Sequence, residues 1–176
     1  MLRATITVVA RGGLRDLTYR AVAAEAGVSH GLVRHHFGTR DVLIAEALDF
    51  AVEVSLRETS MTGASATEAT DAAHFAAGIE TLAARDHDMQ AFQYELLLES
   101  RRRPELRPAV ERYYETYRRA TRDRLRELGV TDEALVESIW FALDGIVFKQ
   151  LVLEDDADVA RVLARIRRLI EEAAGT

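Results

Sequence analysis

The sequence predicts an all-α protein, and three observations carry that expectation. Its 176 residues include only two prolines. Apolar residues recur at three- and four-residue intervals, the spacing of one helix face. Nowhere do β-branched and polar residues alternate over a length that would make a strand. The length supports one core or two closely packed units rather than several independent domains.

The elements follow in order, each with a chemical start and stop. Leu2–Ala10 is an apolar segment ended by the Gly12-Gly13 pair, a strong helix stop. Thr18 stands as the N-cap of YRAVAAEA, which Gly27 closes. Ser29 caps a further short helix through Leu32, Val33 and His36 that stops near Gly38. Thr39 caps a longer one from Arg40 towards Arg57, with Leu43, Ala47, Phe50 and Val54 on one face. Ser60–Thr67, small, polar and without period, is the expected connection. Helices are expected near Glu68–Ala84, Asp86–Arg102, Glu105–Leu128, Asp132–Leu153 and Asp156–Ala173. Asp86, Thr131 and Asp156 begin helices, Pro104 and Pro108 suit first turns, and Gly129 ends one. The count is about nine helices, divided into residues 1–46 and a larger body, 47–176.

Composition narrows the function. With 48% hydrophobic and 30% charged residues the chain reads as an ordinary soluble globular protein. No apolar run approaches the ~18 residues of a membrane span, and the N-terminus lacks a signal-peptide pattern, so no membrane partner is expected and the expected compartment is the cytoplasm. The absence of cysteine removes disulfides, thiolate ligands and a thiol nucleophile together. Charge is unevenly spread. Residues 1–44 hold six arginines (Arg3, Arg11, Arg15, Arg20, Arg34, Arg40) against Asp16, Glu25 and Asp41, a formal +3 on a chain whose total is −6. A basic end on an acidic body points to one end that meets a polyanion.

That end has the plan of a helix-turn-helix, whose second helix enters the DNA major groove. Val22, Val28, Val33 and Phe37 are placed to pack the two short helices. With Val33 and Phe37 inward, the helical period turns Gly31, Leu32, Arg34 and His35 outward. Arg34 suits a bidentate pair with guanine, Leu32 a thymine methyl, and Gly31 lets the backbone approach the duplex. Thr18 and Thr39 bring hydroxyls and helix N-terminal amides to the phosphates, with charge from Arg20 and Arg40. His30, His35 and His36 donate one hydrogen bond each even when neutral.

The stretch LRATITVVARGGLRDLTYRAVAAEAGVSHGLVRHHFGTRDVL resembles the DNA-binding domain of the TetR family of transcriptional regulators. The likeness lies in Thr18, the turn Ala26–Ser29, Gly31, the pair His36-Phe37 and the start Thr39-Arg40-Asp41. It implies that the third helix reads bases while the starts of the second and fourth grip phosphates. By motif position Arg20, His30, Gly31, Leu32, Arg34 and His36 fall where the family touches DNA, and Arg40 where a lysine commonly meets a phosphate. Ser29 caps the reading helix. Arg34 departs from the pattern, standing where a tyrosine is usual. The implied protein is a homodimeric regulator, most often a repressor, that binds a palindromic operator of double-stranded DNA and is released by a small-molecule effector.

In the body, Asp132–Leu153 carries two apolar stripes: Leu135, Ile139, Ala142, Ile146 and Val136, Trp140, Leu143, Val147, Leu151. The last helix is similarly rich. These two helices are expected to supply both core and a four-helix dimer seam, with Trp140, Leu143, Val147, Leu151, Val162 and Ile166 as interface residues and Gly145 permitting close approach. The expected effector pocket is lined by Phe75, Met89, Phe92, Gln93, Glu95, Tyr113, Tyr114, Tyr117, Trp140, Phe141 and Asp144, aromatic walls with a few polar groups; for each of those aromatics plain core is the first reading and the pocket the second. His35 and His36 point about 100° apart on a helix and have no completing ligands, so neither metal nor cofactor is expected. Arg101-Arg102-Arg103 offers charge for an anion, but reads first as a solvated helix end where positive charge complements the dipole. No nucleophile with its base, no phosphate-cradling glycine loop and no apolar carboxylate pair argues for an enzyme. The competing reading is a ligand sensor or scaffold of the same fold without sequence-specific DNA binding.

Overall fold

A computed structural model describes residues 1–59, 71–153 and 157–175. The expected connection Ser60–Thr67 and the cap Asp156 lie outside these. Among the described residues the secondary structure is helical throughout: α1 Leu2–Asp16, α2 Tyr19–Ala26, α3 His30–Phe37, α4 Arg40–Glu58, α5 Leu82–Arg85, α6 His87–Glu99, α7 Arg107–Glu127, α8 Glu133–Leu153 and α9 Ala157–Ala174, with short 3-10 turns between some of them. The chain divides into two compact units, Met1–Glu53 with Asp86–Tyr114, and Val54–Arg85 with Glu115–Thr176. The first therefore takes in α6 as well as the segment 1–46, because α1 packs along α6 as well as against α2.

In the first unit the expected caps form. The Thr18 and Ser29 hydroxyl oxygens accept from Ala21 N at 3.0 Å and Leu32 N at 3.2 Å, and Gly27 ends α2 at φ 66°. Helices of 8 residues are marginal alone, so their persistence rests on packing. Val22, Val33 and Phe37 are buried among Ile6, Leu14, Leu17, Leu43 and Leu48, each such side chain contributing roughly 1.5–3 kcal/mol. The Gly12-Gly13 stop appears as a break inside α1: Gly13 takes φ 71°, ψ 177°, and a Cβ there would lie 3.0 Å from Glu95 Oε1 of α6. Glycine is favoured at that point by the backbone angle.

In the second unit the expected helix Glu68–Ala84 is corrected. From Asp71 onwards the chain makes two 3-10 turns, Ala72–His74 and Ile79–Thr81, and only then α5. Asp71 Oδ1 caps the first turn by accepting from His74 N at 3.1 Å, and that turn does not continue as an α-helix. Gly78 at φ 94° breaks the period again, where a Cβ would meet the Glu58 carbonyl at 2.4 Å. Distant side chains satisfy the carbonyls that no helix bonds: Arg167 Nε donates to Phe75 O at 3.1 Å, and Gln150 Nε2 to Glu80 O at 2.6 Å. Arg167 Nη2 also reaches Glu80 Oε1 at 2.8 Å.

α7 and α8 are tied by charge. Arg118 donates through Nε and Nη2 to Glu137 Oε1 at 2.9 and 2.6 Å, and Arg122 Nη2 adds a bond at 3.3 Å. The bond from Arg118 holds the Glu137 carboxyl below its ordinary range. Asp132 Oδ1 caps α8 by accepting from Ala134 N at 2.9 Å and Leu135 N at 3.2 Å. Lys149 Nζ bonds Asp158 Oδ2 at 3.0 Å, joining α8 to the first turn of α9.

The outward face of α8 differs from the expected one. Val136, Ile139, Trp140, Leu143, Ile146 and Val147 are all buried within the protomer, as is Ile166 of α9. Both expected stripes thus serve the core. A third line, Phe141, Gly145, Phe148 and Val152, faces out, with Phe141 66% and Val152 58% exposed; Leu153 at the end of α8 and Val162 of α9 are exposed as well. Leu151 is intermediate.

Candidate nucleic-acid interface

The geometry of α3 follows from its two buried anchors. Val33 and Phe37, four residues apart, fix one face inward, and the exposed set is His30, Gly31, Leu32, Arg34, His35 and His36. Leu32 is 46% exposed, an apolar side chain left in water on an eight-residue helix. Nothing lies within 4 Å of where a Gly31 Cβ would stand. A glycine inside a helix costs stability relative to alanine, and no neighbour in the protomer calls for this one. His36 packs edge-on against the Phe37 ring, centroids 4.6 Å apart.

Around α3 the donors expected at its rim are in place with one exception. Thr18 and Thr39 use their oxygens as caps, Thr39 Oγ1 accepting from Val42 N at 3.2 Å, so their hydroxyl hydrogens stay available to an acceptor outside. Arg20 is exposed. Arg40 is the exception: its Nη2 donates to the Leu14 carbonyl, and its buried Nε has no partner. Burial first, then the nearby Arg103, push this guanidinium below its ordinary value. Arg40 thus holds the end of α1 against the start of α4. One contributor was missed. Tyr19, the first residue of α2, donates its hydroxyl to Gly38 O at 2.9 Å and ties the start of α2 to the end of α3. Its place directly after the cap was the only signal.

The expected effector-pocket residues are divided between the two units. In the first, Met89, Phe92, Gln93 and Tyr113 are buried and Glu95 and Tyr114 are intermediate. Glu95 lines a cleft of about 440 Å³ with Gly12, Gly13, Leu14, Arg15, Glu99 and Arg102. In the second, Phe75 is buried, and Trp140 stacks on Tyr117 at 6.4 Å and 19°. Asp144 follows Trp140 by one turn and is intermediate. Phe141 is corrected: it projects to the surface rather than into any interior. Among the described residues no group of three or more acidic or histidine side chains is placed to hold a metal ion, and no helix is long and apolar enough to cross a membrane.

Comparison with known proteins covers both segments. Residues 1–47 match the family model described as bacterial regulatory proteins, tetR family, and residues 66–172 that described as tetracyclin repressor-like, C-terminal domain. The multidrug binding protein EbrR, solved with imidazole, is 30% identical, with 94% of this chain and 91% of that one covered at a TM-score of 0.66. A TetR-family member from Streptomyces coelicolor A3 is 31% identical over 94% of each chain, TM-score 0.72. A putative TetR-family transcriptional regulator from Rhodococcus sp. shares the fold at a TM-score of 0.74 with 18% identity, covering 98% of this chain and 95% of that one. No curated protein matches the chain.

Proposed function

Because the chain belongs to the TetR family of transcriptional regulators, we propose that it is a homodimeric repressor that reads a palindromic operator with α3 and is released by a small-molecule effector. One observation carries the DNA reading: the exposed row on α3, with an arginine, three histidines and an otherwise purposeless Gly31 on a helix held by Val33 and Phe37. Arg34 reads a base edge, and the α2 and α4 starts, with Thr18, Arg20 and Thr39, meet phosphates. Arg40 enters mainly by fixing α4 against α1.

The exposed line Phe141, Gly145, Phe148 and Val152 supports dimerisation through α8, with Val162 and α9 alongside. A two-fold pairing of this face buries apolar surface that a monomer leaves in water. In a dimer the two copies of α3 meet successive major grooves, with half-site centres ~34–36 Å apart or a multiple of that. The effector acts by favouring a spacing of the reading heads that mismatches the operator. EbrR has been solved with proflavin and with ethidium, and the stacked Tyr117–Trp140 pair with Asp144 one turn on supports an aromatic cation as the effector class here.

Selection of sites from a random duplex pool, followed by titration of the best site at two salt concentrations, tests this reading. A palindromic winner bound more tightly than random duplex is expected. No enrichment overturns it in favour of a sensor without sequence-specific DNA binding.

A further inference from the structure

The arginines of the first unit fall into two groups by what they face. Arg3 bonds Asp86 at 3.1 Å, Arg11 lies 3.9 Å from Glu25 and from Asp88, and Arg112 lies 3.6 Å from Asp49. Arg15, Arg20, Arg34, Arg101 and Arg107 are exposed and have no carboxylate at ion-pair distance among the described residues. Three of these belong to the reading head. The other two bracket the corner between α6 and α7, where Arg101-Arg102-Arg103 run in sequence.

That corner adjoins the head within the same unit. Arg102 lines one cleft with Gly12, Gly13, Leu14 and Arg15, and a neighbouring one with Arg101, and the carboxylates Glu95 and Glu99 line both. Arg103 lies close enough to Arg40, at the start of α4, to disfavour its charge. Arg102 and Arg103 are partly neutralised, by Glu99 at 2.6 Å and Glu105 at 3.3 Å, whereas Arg101 is not. A helix end accounts for one or two basic residues through the dipole. It does not account for Arg101, an exposed arginine with no carboxylate at ion-pair distance among the described residues, set beside Arg102 and Arg103 and near Arg15. An unpaired guanidinium beside like charges is stabilised by a polyanion, and its planar fork suits phosphate oxygens.

We propose that the α6–α7 corner is a second phosphate-binding element: Arg101, supported by Arg102 and Arg103, contacts the DNA backbone just outside the base-read half-site. This rests on the operator-binding reading above. The starts of α2 and α4 take the phosphates at the rim of α3; the corner adjoins the α4 start through Arg103 and the end of α1 through Arg102, and the phosphates beyond that rim are the ones assigned to it. Such contacts add affinity and register without reading sequence, and each phosphate neutralised steepens the dependence of log K on log salt by about 0.9.

The test compares the unmodified dimer with Arg101→Gln, alone and combined with Arg103→Gln, on the selected operator. Two duplexes are used, one ending at the outermost selected base pair and one extended by about a helical turn, ~10 base pairs, on each side. On the extended duplex Arg101→Gln is expected to flatten the salt slope by about 2, one phosphate per protomer, while on the short duplex it binds as the unmodified protein does. Arg112→Gln, on a paired arginine, is the control and leaves the slope unchanged. Arg101 is exposed and unpaired, so the variant's melting temperature matches the unmodified protein's and any loss is read on DNA. Equal slopes on the extended duplex, with operator selectivity intact, overturn the corner's role alone. An equal loss on both duplexes overturns its placement outside the half-site. Failure of the unmodified chain to select any site overturns the regulator reading and this proposal together.

Discussion

Replacing Gly31 with alanine separates what the fold needs from what DNA needs. The residue is the second of α3, its φ is that of an ordinary helix, and a Cβ there meets nothing within 4 Å. Alanine in a helix gains about 0.5–1 kcal/mol over glycine, and so near the N-terminus the gain sits at the low end. A gain of about 0.5 kcal/mol raises Tm by roughly 1–2 °C in a chain of this size. On DNA the sign reverses. A methyl forced into a close-packed contact costs about 1–3 kcal/mol, or roughly 5- to 150-fold in Kd. The salt slope stays constant because no phosphate contact changes. Thermal unfolding by circular dichroism gives the first quantity, and fluorescence anisotropy on the selected operator at two salt concentrations gives the others. Unchanged operator affinity refutes close approach of the α3 backbone to the duplex. Weaker binding accompanied by a lower Tm refutes the premise that the position is free within the protomer.

Four further outcomes are expected. Arg34→Ala weakens operator binding by about 1–3 kcal/mol and relaxes preference at one base pair; a repeat site selection with the variant that returns the same sequence counts against base reading. Phe148→Asp, on the exposed line of α8, yields monomers in sedimentation velocity that bind the operator poorly, and a surviving dimer moves the interface elsewhere. Proflavin quenches the fluorescence of Trp140, the only tryptophan, and Tyr117→Ala weakens that titration; an unresponsive Trp140 removes the stacked pair from the effector site. Glu137 gives a pH signature. Its carboxyl is held below the ordinary range in the fold by the bond from Arg118, so its contribution is full above the unfolded carboxylate value of about 4.3 and disappears as pH falls through the lower folded value. Denaturant midpoints followed from neutral to acidic pH therefore fall less for Glu137→Gln than for the unmodified protein across that window.

The head was legible in the sequence because its signals are local. Thr18, Ser29 and Thr39 cap amides three residues onward, Gly27 closes a turn within the same helix, and Val33 and Phe37 set a phase that decides which neighbours face out. The segment 71–85 was not legible. Its alanines favour helix, but the side chains that satisfy its carbonyls come from Gln150 and Arg167, 70 and 92 residues away. The outward face of α8 was hidden for another reason. The two apolar stripes of α8 read as one broad buried face, and the apolar Phe141 and Phe148 do not mark an outside, so only the packing of Val136, Trp140 and Val147 reveals that they are left over. The bond from Arg40 was not legible because its partner is the Leu14 carbonyl, and a sequence records no side chain there to predict.

The Lys149–Asp158 bond between α8 and α9 places the only side-chain amine of the molecule next to the exposed Phe148. Among the side chains, amine-directed chemistry therefore addresses a single position, Lys149. A short bifunctional ester joins two chains there or nowhere along their side chains, and a dye coupled to Lys149 reports on α8 and α9 while the arginine-built DNA face remains unlabelled.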